Sequence, residues 1–419
     1  MTTLTRRTIL SACSGTVLAA TARTGVPRVQ FESEPRMVTA GRSPKLLTRR
    51  QHGLQMLTTR PSAGGKGFDL IFTASQDLGD SWSEPLRVNS VAGEVSDHGE
   101  NSPFLLSSPD GSMLYAVWNA RQPGETGASH LRFARSPSMQ PRWTEAVTVN
   151  DHRQPISHSF QGAAVGPDGA IYVAWLDARD SEHAGGHHGH TGGTSGLYVS
   201  RSSDAGGTWT TGVRVAQSVC PCCRASIAFT GDRVHVSWRG VDTGDLRDIY
   251  IANSVDKGAT WGQPVAVSRD GWKINGCPHV GASLAAIGDT LYAVWFTEAG
   301  DKPGIYMARS SDGGERFSAK QLLSAGTTDP THPQAVSEDG KLAIVFQARD
   351  AAVRNGWGKM AVFYREVSPA GVSPLVRVPI SKGNAVYPSV ALGLSGRIFV
   401  SWTETGESGA SAMLVRGRR

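Results

Sequence analysis

Ser202-Ser203-Asp204-Ala205-Gly206-Gly207-Thr208-Trp209 reads S-x-D-x-G-x-T-W, and the chain returns to this phrase. Ser75–Trp82 (SQDLGDSW), Ser254–Trp261 (SVDKGATW) and Ser310–Phe317 (SSDGGERF) repeat it with the same internal spacing. A worn copy runs from Ser136 to Trp143 (SPSMQPRW), with Ser138 where the Asp belongs. Segments of this kind make turns: the Asp carboxylate accepts from backbone N–H groups just downstream, and Gly supplies the positive φ. The trailing aromatic is expected to pack back on a sheet. Self-similarity at a fixed period points to a repeat architecture.

A second phrase lies between the turns, an alternating strand that ends in a large aromatic. It appears at Leu114–Trp118, Ile171–Trp175, Val234–Trp238, Leu291–Trp295, Leu342–Phe346 and Ile398–Trp402. Each copy follows a short turn such as Asp110-Gly111, Asp168-Gly169 or Gly288-Asp289, and an apolar run precedes that turn. Such a turn between two apolar runs is a hairpin signal. A third strand follows the aromatic, then the Asp turn, then a fourth strand. One unit is therefore four antiparallel strands, and such units repeated around a ring make a β-propeller. First strands near Ser43, Ser102, Ser159, Ala225, Ala282, Pro333 and Pro388 give seven blades. Six is the alternative, because the first repeat (Leu46–Arg60) is irregular. The seventh unit ends at Met413–Arg416 without a fourth strand, and the extended run Arg28–Glu32 is available to supply it.

The S-x-D-x-G-x-T-W turns resemble the Asp box, or BNR repeat, of the sialidase-like β-propeller superfamily. The resemblance covers nearly all of residues 23–419 and implies an all-β fold in one domain. It implies little about chemistry, because in this superfamily the box is a rim turn away from the active site, and fold does not dictate function. Sialidases hold a substrate carboxylate with three arginines, use a Tyr backed by a Glu as nucleophile and an Asp as acid. The nearest match to the family's first arginine motif is Arg42 in Arg42-Ser43-Pro44, which lacks the aromatic and the Ile. Tyr387 in Val386-Tyr387-Pro388 is the candidate nucleophile, and Arg224 starts the fourth blade in position to face the axis. No full set of three arginines assembles from the sequence.

The 419 residues carry a net charge of +6, with 49 glycines and 22 prolines, a composition suited to short strands joined by turns. No basic stripe with interleaved aromatics is present, so nucleic acid is not an expected partner. Residues 1–22 read as an export signal: Arg6-Arg7, a short apolar run to Ala20, and a small-x-small site at Ala20-Thr21-Ala22. The paired arginines resemble the twin-arginine signal, which carries folded proteins. Too little apolar sequence precedes Cys13 for it to be a lipidated residue. A periplasmic or secreted protein beginning near Arg23 is expected, with no later segment able to span a bilayer.

Beyond Cys13 the chain has four cysteines, in Val219-Cys220-Pro221-Cys222-Cys223-Arg224 and Gly276-Cys277-Pro278-His279. Aligning blades by Trp238 and Trp295 superposes C-P-C on C-P-H, just before the innermost strand. His158 falls at the same place in blade three, while His98 and His332 precede the inner strands of blades two and six. Thiolates and imidazoles converging at the channel mouth would suit Cu(I) or Zn²⁺. Equivalent strand positions on two blades point the same way round a ring, so they would meet only if these segments are loops, which each Pro favours. Disulfides are the competing reading for an exported protein, although Cys-Cys and Cys-x-Cys bridges are strained. Glu182–Gly193, with His183, His187, His188 and His190 among glycines, reads as either a metal-gathering loop or a solvated linker. Asp177-Ala178-Arg179 and Gln347-Ala348-Arg349-Asp350 are expected to form structural ion pairs. The functional expectation is an exported metal-binding propeller, with a sialidase-like hydrolase or a metal-free scaffold for a protein partner as alternatives; the expected partners are a metal ion and a carbohydrate or protein ligand. Nothing marks an organic cofactor site.

Overall fold

A computed structural model describes residues 28–419 apart from 50–52, 123, 126, 182–193, 351–357 and 408. The export signal and the His-rich segment therefore lie outside the described residues. Seven antiparallel sheets form the molecule, and no α-helix occurs among the described residues. The first blade, expected to be irregular, is a complete four-stranded sheet, Arg42–Arg49, Gly53–Pro61, Phe68–Ser75 and Leu86–Arg87, with a bulge between Arg42 and Lys45 in its inner strand. Inner strands of the next blades are Phe104–Ser107, His158–Val165, Ser226–Thr230, Ser283–Ile287, Thr327–Glu338 and Asn384–Gly393. Seven blades, not six, close the ring.

The closure is made by the N-terminal segment. Gln30–Phe31 and Arg36–Ala40 both pair antiparallel with the last strand, Gly409–Arg418, in the registers Gln30↔Arg418 and Arg36↔Leu414. Arg416 fixes this latch with a 2.8 Å ion pair from Nε to Glu32. The last blade thus takes its outer strands from the chain's beginning, as the unassigned run Arg28–Glu32 suggested.

The second strand of each blade is central, and its terminal aromatic fills the layer between blades. Trp118, Trp175, Trp295, Trp402 and Phe346 are fully or almost fully buried. Truncating such a side chain costs about 3–5 kcal/mol. Serine hydroxyls bind neighbouring inner strands around the ring: Ser226 accepts from Leu284 N, Ser283 from Ala335 N, and Ser389 from Leu46 N, at 3.0, 3.0 and 3.3 Å.

The four good Asp boxes share one bonding pattern. In the third blade Asp204 accepts from Thr208 N and Ser202 Oγ, while Ser202 Oγ accepts from Gly206 N, at 2.9, 2.7 and 2.8 Å. These donors, led by the Thr208 N–H, hold the Asp204 carboxyl down at about 2. Gly206 has φ 86°, and a Cβ there would overlap the Phe133 ring. The trailing Trp209 packs edge-on against Phe133 at 5.3 Å, so the box leans on the preceding blade and not on its own. In the worn copy, Ser138 is buried and its hydroxyl accepts from Gln55 at 3.3 Å.

Just before or within the inner strands, the backbone repeatedly turns through positive φ: Ser43 (52°), Gly99 (79°), Phe160 (52°), His279 (52°), His332 (53°) and Tyr387 (51°). Non-glycine residues held there cost of order 1–3 kcal/mol each. These kinks gather side chains from several blades at one end of the axis. The fourth blade departs from the pattern, and its corresponding segment is the C-P-C-C turn.

Candidate metal centre and the axial pocket

Cys220 follows the outermost strand of blade three, Val213–Val219, and Cys222 and Cys223 lie in the turn leading to the inner strand of blade four. Cys277 lies on the corresponding loop between blades four and five. Both segments are loops, the condition under which equivalent positions could meet, and they do meet. The sulfurs of Cys220, Cys222 and Cys277 lie within 4.8 Å of one another. Cys220 Sγ is 3.7 Å from Cys222 Sγ and 3.4 Å from Cys223 Sγ, and the last two are 4.0 Å apart. A tetrahedral ion with metal–sulfur bonds of about 2.3 Å has sulfur–sulfur edges of about 3.8 Å. The distances among Cys220, Cys222 and Cys223 bracket that edge, while the three sulfurs that all lie within 4.8 Å of one another across the two loops are those of Cys220, Cys222 and Cys277, with Cys223 beside them. All four are free thiols.

Charge supports an anionic centre. Arg247 is 2% exposed and donates from Nη1 to Cys220 Sγ at 3.3 Å. Among the described residues it forms no ion pair with a carboxylate, so Cys220 sulfur is the group placed to balance it. Hydrogen bonds from the Cys222, Cys223 and Cys277 thiols, and then the Arg247 charge, hold Cys220 well below the ordinary thiol range. The remaining thiols move the other way: Cys222 is pushed up chiefly by Cys220, Cys223 by burial, and Cys277 by Cys220 to about 11. The opposite directions have one cause: the thiols around Cys220 donate to its sulfur and favour its charged form at the cost of their own.

The histidines expected alongside do not join the sulfurs. His158 is fully buried, with Nδ1 2.7 Å from Ser129 O and Nε2 3.7 Å from Asp177. It is an imidazole packed between blades two and three, held by a carbonyl of one and near a carboxylate of the other, and burial lowers its pKa. His98 is exposed, its ring against Phe160. His279 shares a loop with Cys277, but its positive φ carries the side chain out to solvent on the side of His332. His332 and Tyr387 belong to a separate pocket on the axis. The structural ion pairs expected after the aromatic strands are present: Arg179 binds Asp177 and Asp151 at 2.8 Å, and Arg349 binds Asp329 at 3.0 Å.

Lys45, Gly99, Glu100, Ser102, Arg224, His332, Gln334, Tyr387 and Pro388 line the axial pocket. Glu100 accepts from Gly281 N at 3.0 Å and lies 3.9 Å from Arg224 Nε and 3.7 Å from His332 Nε2. The Tyr387 ring stands edge-on to His332 at 4.8 Å, and its hydroxyl lies where a Cβ on Gly99 would be, which explains that glycine. Arg42 stays at the edge, stacked 3.8 Å over Phe68 and donating to Asp97 O at 2.8 Å. Arg224 is the one arginine in the pocket wall, so the three-arginine arrangement of sialidases is not reproduced there. Arg247, Lys45 and Glu100 escaped the sequence reading. Each is a single charged residue outside any repeated phrase, and only its burial marks it.

Propeller blades closed by an N-terminal latch and bearing Asp-box turns define a sialidase-like β-propeller. The chain belongs to the BNR repeat-like domain family, whose profile matches residues 65–400. Among solved structures it is similar to a protein of unknown function from Dyadobacter fermentans, at 16% identity and TM-score 0.52, covering 94% of this chain and all of that one. It is similar to the Penicillium chrysogenum α-L-arabinanase complexed with arabinobiose, at 16% identity and TM-score 0.52, over 75% of this chain and 92% of that one. It also resembles a mutant of Trypanosoma rangeli sialidase displaying trans-sialidase activity, at 13% identity and TM-score 0.51, over 93% of this chain and 59% of the other. At these identities the likeness is one of fold. No curated protein matches.

Proposed function

We propose that this propeller binds a soft metal ion, Cu(I) or Zn²⁺, through Cys220, Cys222, Cys223 and Cys277, and that its role is metal binding or handling after export. The observation that supports this reading is the meeting of the Cys220, Cys222 and Cys277 sulfurs within 4.8 Å of one another, with Cys223 Sγ 3.4 Å from Cys220 Sγ, beside a buried guanidinium that has no carboxylate partner among the described residues. Thiolates select Cu(I) and Zn²⁺ over harder ions. Three thiolates suffice for Cu(I), and all four make the closed set usual for structural Zn²⁺. The twin-arginine start supports the same reading, since a protein exported folded can take its metal before translocation.

Elemental analysis with a thiol count on the purified mature protein tests it. One equivalent of copper or zinc is expected, lost in Cys220→Ser and Cys277→Ser. A metal-free protein with no titratable thiols would replace this reading with disulfides. A second reading concerns the axial mouth, where Tyr387 stands near Glu100 and Arg224. A glycoside hydrolase acting there would turn over a fluorogenic sialoside and lose that turnover in Tyr387→Phe.

A further inference from the structure

The axial pocket has too many hydrogen-bond donors for its acceptors. Lys45 lies on the bulge of the first inner strand, 9% exposed, and among the described residues its ammonium has no hydrogen bond and no ion pair within 4.0 Å. Arg224 is 7% exposed, and beyond its 3.9 Å approach to Glu100 its one acceptor among the described residues is Pro333 O at 3.4 Å. The Tyr387 hydroxyl has no acceptor among the described residues. Against these donors stands one carboxylate in the wall, Glu100, already engaged by Gly281 N, Arg224 and His332. The other nearby carboxylate, Asp97, is taken up by Ser43, Thr59 and Arg42. His279 adds a further imidazole at the rim, on the side of His332. An unpaired buried ammonium is costly, and in a donor-rich, water-sized space an anion, which accepts from every donor and also balances the charge, lowers that cost more than a water does.

We propose that the axial pocket is a binding site for a small anion the size of a halide, held by Lys45, Arg224 and the Tyr387 hydroxyl. The space of about 10 Å³ is at the lower limit for one water-sized occupant, so it favours a small ion over a bulky one. With Lys45 and Arg224 positive and Glu100 negative, one bound anion brings the wall to neutrality. Burial, followed by the Arg224 charge, pushes the Lys45 ammonium down to about 7, as expected for a cation whose counter-ion is missing. The site does not rest on the thiol centre, although Arg224 follows Cys223 directly in the chain.

Crystals of the purified protein grown or soaked in sodium bromide test the site by anomalous diffraction, with thermal melting in sodium bromide against sodium gluconate at equal ionic strength as the solution measurement. A bromide peak between Lys45 and Arg224, with a melting midpoint that rises with bromide, is expected. Lys45→Met removes the unpaired charge while keeping the apolar stem, so it should fold. Its bromide response should weaken at least ten-fold. Sodium acetate competing with bromide would show that the carboxylate end of a larger ligand shares the site, and bromide retained against acetate would restrict it to monatomic ions; both support an anion site. Absence of bromide from the pocket at saturating salt would overturn the proposal, as would an unchanged bromide response in Lys45→Met.

Discussion

Arg247 Nη1 stands 3.3 Å from Cys220 Sγ, placing a buried cation against the most central sulfur of the cluster. An opposite charge at that distance favours the thiolate over the thiol. Arg247→Met should therefore move the Cys220 pKa upward, with the three neighbouring thiols still holding it low. Ultraviolet thiolate absorbance of metal-stripped protein, followed against pH, measures this. A titration curve unmoved by the substitution would mean that Arg247 packs beside the sulfur without sharing its charge.

Lys45 makes a prediction for stability. Its ammonium is lowered from 10.5 to about 7 by burial first and by Arg224 second, with Asp97 and Glu100 opposing. His332 and Tyr387 face the same space. Between these two values the unfolded chain holds a proton that the folded chain has released, so stability rises with pH across that window. Below about 7 both states are protonated and the full penalty applies. At about 1.4 kcal/mol per unit the difference is up to about 5 kcal/mol. Melting curves of wild type and Lys45→Met in halide-free buffer should converge as pH rises from about 7 to 10.5. Curves that stay parallel would show that Lys45 does not titrate in this range.

The ring was legible because propeller chemistry recurs. The Asp box fixes the turn between the third and fourth strands, and the strands ending in Trp118, Trp175, Trp238, Trp295 and Trp402 fix the second. The meeting of Cys220 with Cys277 was also legible, since alignment placed them at one position on adjacent blades. The alignment then carried Cys222 onto His279 and failed, because side-chain alternation holds in strands only. Blade four makes a compact turn at Cys220–Cys223, whereas blade five runs on through a positive φ at His279. Arg247 could not be read at all. It comes from the segment 240–248, and its place beside Cys220 is fixed by its own N–H donating to Trp272 O and by the Arg239 guanidinium donating to its carbonyl.

A buried histidine on the second strand of blade four predicts acid sensitivity. His235 is 0% exposed, its Nε2 2.7 Å from Thr230 Oγ1 and its ring under Gly314 of the next blade's Asp box. Burial, then Arg233, lowers its pKa from 6.5 to about 4. The folded state keeps the imidazole neutral where the unfolded chain would protonate it. Stability therefore falls as pH drops from about 6.5 to about 4, by up to about 3 kcal/mol, and this contribution is flat below that. His235→Gln retains a partner for Thr230 and should flatten this limb in urea unfolding measured against pH. A limb of unchanged slope would place the acid sensitivity elsewhere.

The worn Asp box offers a last test, because its sequence invites a repair that its packing forbids. Asp204→Ala should lower the melting midpoint, since the Thr208 N–H, the Thr208 hydroxyl and the Ser202 hydroxyl all lose their acceptor. Restoring the consensus by Ser138→Asp should not raise it. Asp77, Asp204, Asp256 and Asp312 are all exposed, whereas Ser138 is 2% exposed and its hydroxyl accepts from Gln55. In the worn turn the Arg142 N–H is bound instead by Ser136 Oγ at 2.6 Å, so a carboxylate at 138 would be buried with one amide to meet it. A loss of about 1–3 kcal/mol is expected, measured by chemical denaturation. A stabilised Ser138→Asp would show that the turn can reopen into the consensus geometry, and that its decay is a matter of sequence alone.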